Sequence, residues 1–209
     1  MEQRAAFFDD GFAIQSGAGQ LRVSFVGADA GARATGFRPI AGRANFLLGS
    51  DPAQWRQDVS VFAGIEYRDL YPGITARYVG GRSLKSEFHV SPGADPAAIR
   101  LAYGGAEVRI EEEGALLVTA QGVALRELAP DVYVQGPGDS RVAVPCRYRL
   151  FPDGTVGFEV GSYDTRRPLV IDPAITYATY LGGQRDGCCN GRGTGRIGQP
   201  LCRGMDGVD

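Results

Sequence analysis

The sequence predicts an all-β fold: an antiparallel β-sandwich-like domain with hairpin and meander connections and helices of at most a single turn. Short runs of alternating apolar and polar residues dominate, and turns rich in glycine, proline and aspartate separate them at the spacing typical of sandwiches. Helical signals are scarce. With 209 residues, of which 44% are hydrophobic and 22% charged, the chain can bury one sizeable core.

The first clear strands lie in the N-terminal half of the chain. The stretch LRVSFVGA places Leu21, Val23 and Phe25 on one face of a strand. The stretch GIEYRDLYPGITARYVGG predicts two strands that are joined by a turn at 71–73. In LKSEFHV the alternation puts His89 on the polar face of the next strand.

Hairpins and short helical turns complete the pattern. AEVRIEEEGALLVTAQG and CRYRLFPDGTVGFEV each predict a hairpin, with turns at 113–114 and 152–154 in which glycine can take a positive φ. RPLVIDPAITYATYLGG predicts two short strands interrupted at 172–173. The Asp-Pro pairs of DPAQW (51–55) and DPAAI (95–99) predict single helical turns, each with aspartate as the N-cap and proline at the first helical position.

Composition excludes several classes of function. The net charge of −2 argues against a nucleic-acid surface, which needs clustered lysine and arginine. No run approaches the roughly 18 consecutive apolar residues of a membrane-spanning helix. Residues 1–4 lack the charged and apolar regions of a secretory signal, so no signal peptide is expected in this chain.

Aromatic residues are the candidate binding residues. Trp55, Tyr67 and Tyr71 together could form a platform on which sugar rings stack. The alternative is that the tyrosines pack in the core, because Ile65 and Tyr67 fit the buried face of a strand. Both interpretations stay open at this level.

Other reactive residue types are present without a supporting pattern. His89 is the single histidine, and Cys146 has no histidine nearby in sequence. The glutamates 111–113 could supply a carboxylate pair for glycoside hydrolysis, but the tip of a hairpin explains them more simply. The aspartates lack the spacing of a calcium loop; those considered are Asp9, Asp10, Asp51 and Asp58. We therefore expect no catalytic residue, no metal and no cofactor.

Several strings resemble one family when they are taken together. They run from GRANFLLGSDPAQWRQDVSVFAGIEYRDLYPGITARYVG through LKSEFHVSPGADPAAIRLAYGGAEVRI and GALLVTAQGVALRELAPDVYVQ to RPLVIDPAITYATYLGG. In this order, over roughly residues 20–183, they resemble the N-terminal β-domain of bacterial proteins that carry SBBP (β-propeller) repeats. The resemblance implies a non-catalytic domain of a large secreted or cell-surface protein, truncated where the first repeat would begin.

The chain divides into an antiparallel β domain over 1–183, with a candidate internal boundary near 42–60, and a disordered tail over 184–209. The tail contains Cys188, Cys189 and Cys202. Their spacing does not suit a metal site, and adjacent cysteines bond to each other only with strain. A flexible glycine-rich linker is a further interpretation.

A shifted reading frame is the fourth interpretation of the tail and the one we favour. Permitted codons for 184–209, read from their second base, can encode Ser-Gly-Thr-Asp-Ala-Ala and, further on, Asn-Leu-Tyr-Val-Ala-Gly-Trp-Thr. The tryptophan is forced, because the ATG of Met205 precedes the G that begins every codon for Asp206. This is the acidic turn and aromatic strand that the resemblance leads us to expect after YLGG.

The expected function is that of a non-enzymatic structural or adhesion-type module that caps or presents the downstream propeller repeats. The parent protein is expected outside the cell or at its surface, on the basis of the resemblance. Its expected partners are those repeats and a polysaccharide or surface component. The alternatives are a carbohydrate-binding module, with a row of exposed aromatic side chains, and a glycoside hydrolase-like domain, with two carboxylates in a cleft.

Overall fold

The structure, a computed structural model, describes residues 3–16, 19–80, 84–120, 122–136 and 140–179. Within these ranges it contains seventeen β-strands and two single-turn 3-10 helices. The strands are β1 (Gln3–Phe8), β2 (Gly11–Ser16), β3 (Gly19–Phe25), β4 (Ala34–Phe46), β5 (Arg56–Tyr71), β6 (Ile74–Val79), β7 (Lys85–Val90), β8 (Leu101–Gly104), β9 (Glu107–Ile110), β10 (Leu116–Ala120), β11 (Val123–Glu127), β12 (Asp131–Gln135), β13 (Arg141–Ala143), β14 (Cys146–Leu150), β15 (Val156–Val160), β16 (Leu169–Asp172) and β17 (Ile175–Thr179).

The strands form three antiparallel sheets. The six-stranded sheet has the order β1-β2-β3-β8-β15-β14, and the seven-stranded sheet has the order β13-β12-β16-β7-β6-β5-β4. A four-stranded sheet has the order β17-β11-β10-β9. The predicted fold class is confirmed: the protein is all-β, antiparallel and open-sandwich-like.

Aromatic side chains hold the two larger sheets together. Phe7, Phe12 and Phe25 project from the six-stranded sheet and meet Tyr67 and Tyr78 of the seven-stranded sheet. Ring centroids lie 4.9 Å apart for Phe12 and Tyr78 and 5.0 Å apart for Phe25 and Tyr67. Burying each such ring contributes about 1.5–3 kcal/mol relative to leaving it exposed, so these side chains dominate the energetics of the sandwich.

The four-stranded sheet packs against the same core. Leu116, Val118, Val123 and Leu125 are all fully buried, at alternate positions of β10 and β11. The β12–β16 pairing of the seven-stranded sheet continues into the β11–β17 pairing of this sheet. Asp131 pairs with Asp172 in the seven-stranded sheet, and Glu127 pairs with Ile175 in the four-stranded sheet. The chain thus passes from one sheet to the other along one antiparallel pair of segments, and the pairing is interrupted before Pro173, where β16 ends.

The local predictions on strands and turns are confirmed. Leu21, Val23 and Phe25 share the buried face of β3. At the turn after β5, Tyr71 pairs with Ile74, and Gly73 has a φ of 71°, which only glycine adopts without strain. The predicted interruption at 172–173 separates β16 from β17. The tail at 184–209 lies outside the described residues.

Both predicted helical turns are present with their predicted caps. The carboxylate of Asp51 accepts a hydrogen bond from Ala53 N at 2.9 Å, and that of Asp95 accepts one from Ala97 N at 2.9 Å. Each turn is a 3-10 helix with proline at its start. An aspartate side chain and a fixed proline φ explain these turns without any tertiary contact.

The stretch 42–60 is the outer part of a long hairpin. β4 and β5 both belong to the seven-stranded sheet, so this stretch does not connect two sheets. The neighbouring strand β6 ends at Val79, opposite Gly64 of β5. Beyond that level the hairpin is two-stranded, and we call residues 38–63 the arm. Its regular pairing is broken by register shifts on β4, and the arm residues Arg38 and Asp58 have positive φ.

Candidate functional site

The structure separates the three aromatic residues proposed as a binding platform. Tyr67 and Tyr71 are 0% and 1% exposed, so neither ring face is available to a ligand. Tyr67 Oη lies 2.7 Å from Phe8 O and 2.9 Å from Gly11 O. Burial raises the pKa of Tyr71 to about 12 and that of Tyr67 further. The core-packing interpretation describes both tyrosines, because their strand faces the six-stranded sheet.

Trp55 lies elsewhere, near the tip of the arm. Its side chain is half-buried, and its indole N–H donates to Gly49 O at 3.2 Å. The same arm carries Ile40, Leu47 and Leu48, which are 49%, 54% and 66% exposed. The arm therefore presents apolar side chains that the described core does not cover.

A charge ladder crosses the outer face of the seven-stranded sheet. Its members alternate along their strands with buried core residues, so they point away from the aromatic core. Adjacent members lie within hydrogen-bond or ion-pair distance across four strands, β5, β6, β7 and β16. They are Arg68, Glu66, Arg77, His89, Glu87, Lys85 and Asp172.

Glu66 is the most buried member of the charge ladder, with 4% exposure. Arg68 Nε donates to its Oε1 and Arg77 Nε to its Oε2, both at 2.6 Å. Burial opposes ionisation of this carboxyl, but the two guanidinium groups outweigh burial and lower the pKa of Glu66. Both carboxylate oxygens of Glu66 therefore already accept hydrogen bonds from neighbouring cationic side chains.

At the other end of the charge ladder, acidic side chains are again paired with basic ones. Glu87 accepts from Lys85 Nζ at 2.9 Å and lies 3.0 Å from His89 Nε2. The hydrogen bond with His89, with that from Lys85, lowers the pKa of Glu87 to about 2 against the cost of burial. Lys85 Nζ also lies 2.8 Å from Asp172 Oδ2, and this contact raises the pKa of Lys85.

A shallow depression of about 290 Å³ adjoins the charge ladder. It lies over the bulge of β5, where the register shifts and Asp69 has a φ of 48°. It is lined by Phe37, Glu66, Arg68, Asp69, Thr75 and Arg77. Among these residues, Glu66 binds both arginines. Within this depression both carboxylate oxygens of Glu66 accept hydrogen bonds from arginines.

The glutamates at 111–113 lie at a hairpin tip, as the simpler interpretation predicts. Arg126 binds Glu111 at 2.7 Å and Glu113 at 3.2 Å. Gly114 completes the turn with a φ of 81°. One arginine therefore pairs with both of these carboxylates.

His89 and Cys146 are also accounted for by their surroundings. His89 lies on the outer face, as predicted, and Nε2 is close to both Glu87 and Arg77. It can donate to the carboxylate or accept from the guanidinium. Cys146 is half-buried on β14, and burial raises the pKa of its thiol to about 11, which disfavours the reactive thiolate.

The aspartates considered for calcium are spread over the chain and engaged in other contacts. Asp9 accepts from Ala34 N, Asp10 pairs with Arg22, and Asp58 pairs with Arg43. Asp51 caps its helical turn. Across the described ranges, no group of three or more histidine, cysteine, aspartate or glutamate side chains is placed to hold a metal ion.

Sequence reasoning missed a buried carboxyl on the inner face. Glu127 is 5% exposed and is hydrogen-bonded to the hydroxyl groups of Tyr103 and Tyr148. The signal was present, because Val123, Leu125 and Glu127 occupy alternate positions of one strand and the first two are apolar. The alternation places Glu127 inside although its charge suggests the surface.

Comparison with known proteins gives one match. Residues 5–174 match a family model described as "Domain of unknown function (DUF7948)". No curated protein and no solved structure matches the chain. In the described part of the chain, no helix is long and apolar enough to cross a membrane.

Proposed function

The chain belongs to the DUF7948 family, and we propose that it is a non-catalytic structural module that packs against the remainder of its own polypeptide. The remainder is a set of β-propeller repeats in a secreted or cell-surface protein, as the sequence resemblance implies. The observation that carries the proposal is the arm, a two-stranded extension with apolar side chains on its surface.

The exposure along the arm supports docking on another protein surface. Leu48 and Leu47 are the two most exposed of the large apolar side chains in the described residues, and they adjoin each other just after β4 ends at Phe46. Ile40 is a further exposed apolar residue, earlier on β4. Adjacent exposed apolar groups on an otherwise well-packed domain are typical of interaction surfaces. An arm without a partner would instead expose these groups to water at a cost in solubility.

The backbone of the arm favours docking through side chains over strand addition. β4 is the edge strand of its sheet, but Pro39 lacks the N–H that a further strand would need. Two register shifts and the positive φ of Arg38 interrupt the regular edge further. Such features are typical of edge strands that avoid pairing with strands of other molecules.

The non-catalytic part of the proposal is supported by the pairing of acids with bases. Glu66, Glu87 and Glu111 each bind a basic side chain within 3.0 Å. A general acid or base needs a free proton-transfer position and a suitable pKa, which such pairing removes.

The test begins with the gene, sequenced from codon 175 to well past the stop. A single inserted or deleted base near codon 184, followed by an open frame of repeats, is expected. The absence of any repeat downstream would refute the proposed parent architecture.

The longer polypeptide then allows the arm to be tested directly. Hydrogen–deuterium exchange of residues 38–63 is compared between the long polypeptide and the 209-residue chain, with Leu48→Ser as the variant and Leu150→Ser as the control. Leu150 is 43% exposed on β14, away from the arm. Slower exchange in the long polypeptide, lost only with Leu48→Ser, is expected. Equal exchange of the arm in the two polypeptides would contradict docking. Protection of the arm that increases with the concentration of the 209-residue chain would mean that a second copy of the chain, and not the repeats, covers the arm.

Trp55 keeps carbohydrate binding as a second candidate. Its indole ring is held near the arm tip by the hydrogen bond to Gly49 O and is partly exposed. Titration with polysaccharides, followed by tryptophan fluorescence, reports on this ring alone because the chain has one tryptophan. A saturable shift supports a binding module, and an unchanged spectrum removes the role from Trp55.

A further inference from the structure

The carboxyl group of Glu127 joins two sheets inside the protein. Glu127 ends β11 of the four-stranded sheet, while Tyr103 on β8 and Tyr148 on β14 belong to the six-stranded sheet. Glu127 Oε1 lies 3.1 Å from Tyr103 Oη, and Oε2 lies 3.2 Å from Tyr148 Oη. A single side chain therefore connects β11 to two strands that flank β15.

The hydrogen-bond count of this cluster depends on one proton. Tyr148 Oη also lies 3.1 Å from Leu128 O. That carbonyl can only accept, and each phenol carries one proton. If Tyr103 donates to Glu127 and Tyr148 donates to Leu128, the contact between Glu127 Oε2 and Tyr148 needs a proton on the carboxyl. A neutral Glu127 satisfies all three contacts, whereas an ionised one leaves an acceptor without its donor.

The surroundings of Glu127 also favour the neutral form. Burial is the main influence and raises the pKa of Glu127 above the ordinary value, and the hydrogen bonds with Tyr103 and Tyr148 only partly offset it. The titratable groups that face the cluster are these two phenols, the phenol of Tyr78 on β6 and, beside Tyr148, the thiol of Cys146. Burial raises the pKa of all four, so each of them is uncharged at neutral pH.

We propose that Glu127 is protonated in the folded protein at neutral pH and serves as a proton-dependent latch between the four-stranded and six-stranded sheets. Loss of its proton removes one hydrogen bond and leaves a charge between the sheets. Deprotonation therefore weakens the connection of β11 to the six-stranded sheet, at a point where the pairing of β11 with β17 is already irregular.

The direction of the pH effect follows from proton linkage. The folded state holds the proton to a higher pH than the unfolded state, so this group's contribution is full below the ordinary glutamate pKa of about 4.3. It declines as pH rises from there and levels off above the folded pKa. Glu127→Gln keeps one donor and one acceptor but cannot ionise, so it lacks this decline.

Urea unfolding of the 209-residue chain and of Glu127→Gln, from pH 4.5 to 9, tests the protonation. The folding equilibrium constant of the variant relative to the natural chain is expected to rise about tenfold per pH unit above pH 5, until the folded pKa is passed. A ratio below one that does not change between pH 5 and 8 would overturn the proposal, because it would mean that the folded carboxyl is ionised.

Two further measurements keep the test decisive. The chemical shift of the Glu127 side-chain carboxyl carbon in the natural chain is expected to stay at the value of a neutral acid at pH 7, which needs no variant to fold. Amide protection factors of β11 are expected to fall when that carbon titrates, but not in Glu127→Gln and not in β6. Protection that is independent of the titration would refute the latch and leave only a buried neutral acid.

Discussion

Glu66 and Glu127 are buried to nearly the same extent, 4% and 5%, yet their protonation is driven in opposite directions. Glu66 faces outward into two guanidinium groups, which lower its pKa. Glu127 faces inward into two phenols, and burial raises its pKa. The pair shows that low solvent exposure by itself does not set the direction in which the pKa of a carboxyl group shifts; the charge of its hydrogen-bond partners and its depth below the surface both contribute.

The largest effect is expected from removing the inner cation of the Glu66 pair. Arg77→Met leaves a buried carboxylate with one partner and should lower the free energy of unfolding by about 3 kcal/mol at pH 7. Urea unfolding measures it. A loss below about 1 kcal/mol would mean that water replaces Arg77, and Glu66 would then cease to be a buried ion pair.

Tyr148→Phe should produce the next largest effect, on the Glu127 side of the comparison. The variant deprives Leu128 O and Glu127 Oε2 of their shared hydroxyl, which should cost about 2 kcal/mol. Tyr163→Phe is the matched control, because Tyr163 is only partly buried and its substitution should be close to neutral. Thermal unfolding of both variants distinguishes a lost hydrogen bond from a general effect of removing a phenol oxygen.

Glu66→Gln should behave as the mirror image of Glu127→Gln. The folded pKa of Glu66 lies below its unfolded value, so its contribution is full above about pH 4.3 and is lost as pH falls through the folded pKa. The variant should therefore be about 1.5 kcal/mol less stable at neutral pH and approach the natural chain in acid. Unfolding free energies of both glutamine variants, measured across pH, check that the two carboxyl groups affect stability with opposite pH dependence. If the two variants differ from the natural chain in the same way at every pH, the two glutamates do not differ in protonation.

Arg68→Met should have a smaller effect than Arg77→Met, although both arginines lie 2.6 Å from Glu66. The Arg68 side chain is 81% exposed and that of Arg77 30%, so solvent screens the first contact more. A smaller loss of unfolding free energy than that of Arg77→Met is expected, because the exposed Arg68 contact is screened by solvent. Equal losses for the two variants would show that exposure does not set the strength of these contacts.

The smallest effect on stability is expected in the arm. Leu48→Ser should change the unfolding free energy by no more than about 0.5 kcal/mol, because the side chain is already 66% exposed. Chemical denaturation of the 209-residue chain measures it. A large loss would mean that Leu48 contributes to folding of this chain, and the arm would no longer be an accessory surface.

Local features of this protein were predictable from sequence because their causes are local. The helical turns at Asp51 and Asp95 need only a carboxylate, a proline and a nearby N–H. The turn at 71–73 needs a glycine with positive φ. The arm was not predictable, since 42–60 alternates weakly and only the early end of β6 shows that the hairpin extends past its sheet.

The candidate binding residues show the same division. Sequence patterns left Tyr67 and Tyr71 open between a binding platform and a core. Their placement depends on contacts with Phe25 and with Arg100 O, from strands and connections far along the chain. Trp55 lies near the tip of the arm, where its indole N–H donates to Gly49 O and where, among the described residues, only β4 and β5 pair with each other.

The sequence by itself determined the all-β class, the alternation of faces and the caps and turns, because each depends on residues within a few positions of one another. Only the tertiary structure decided in which direction the pKa of each carboxyl shifts. Glu66 meets Arg77 on the next strand, and Glu127 meets Tyr103 and Tyr148 on another sheet. Alternation placed one glutamate outside and the other inside, but the cost of ionising a buried carboxyl depends on groups that folding brings from distant strands.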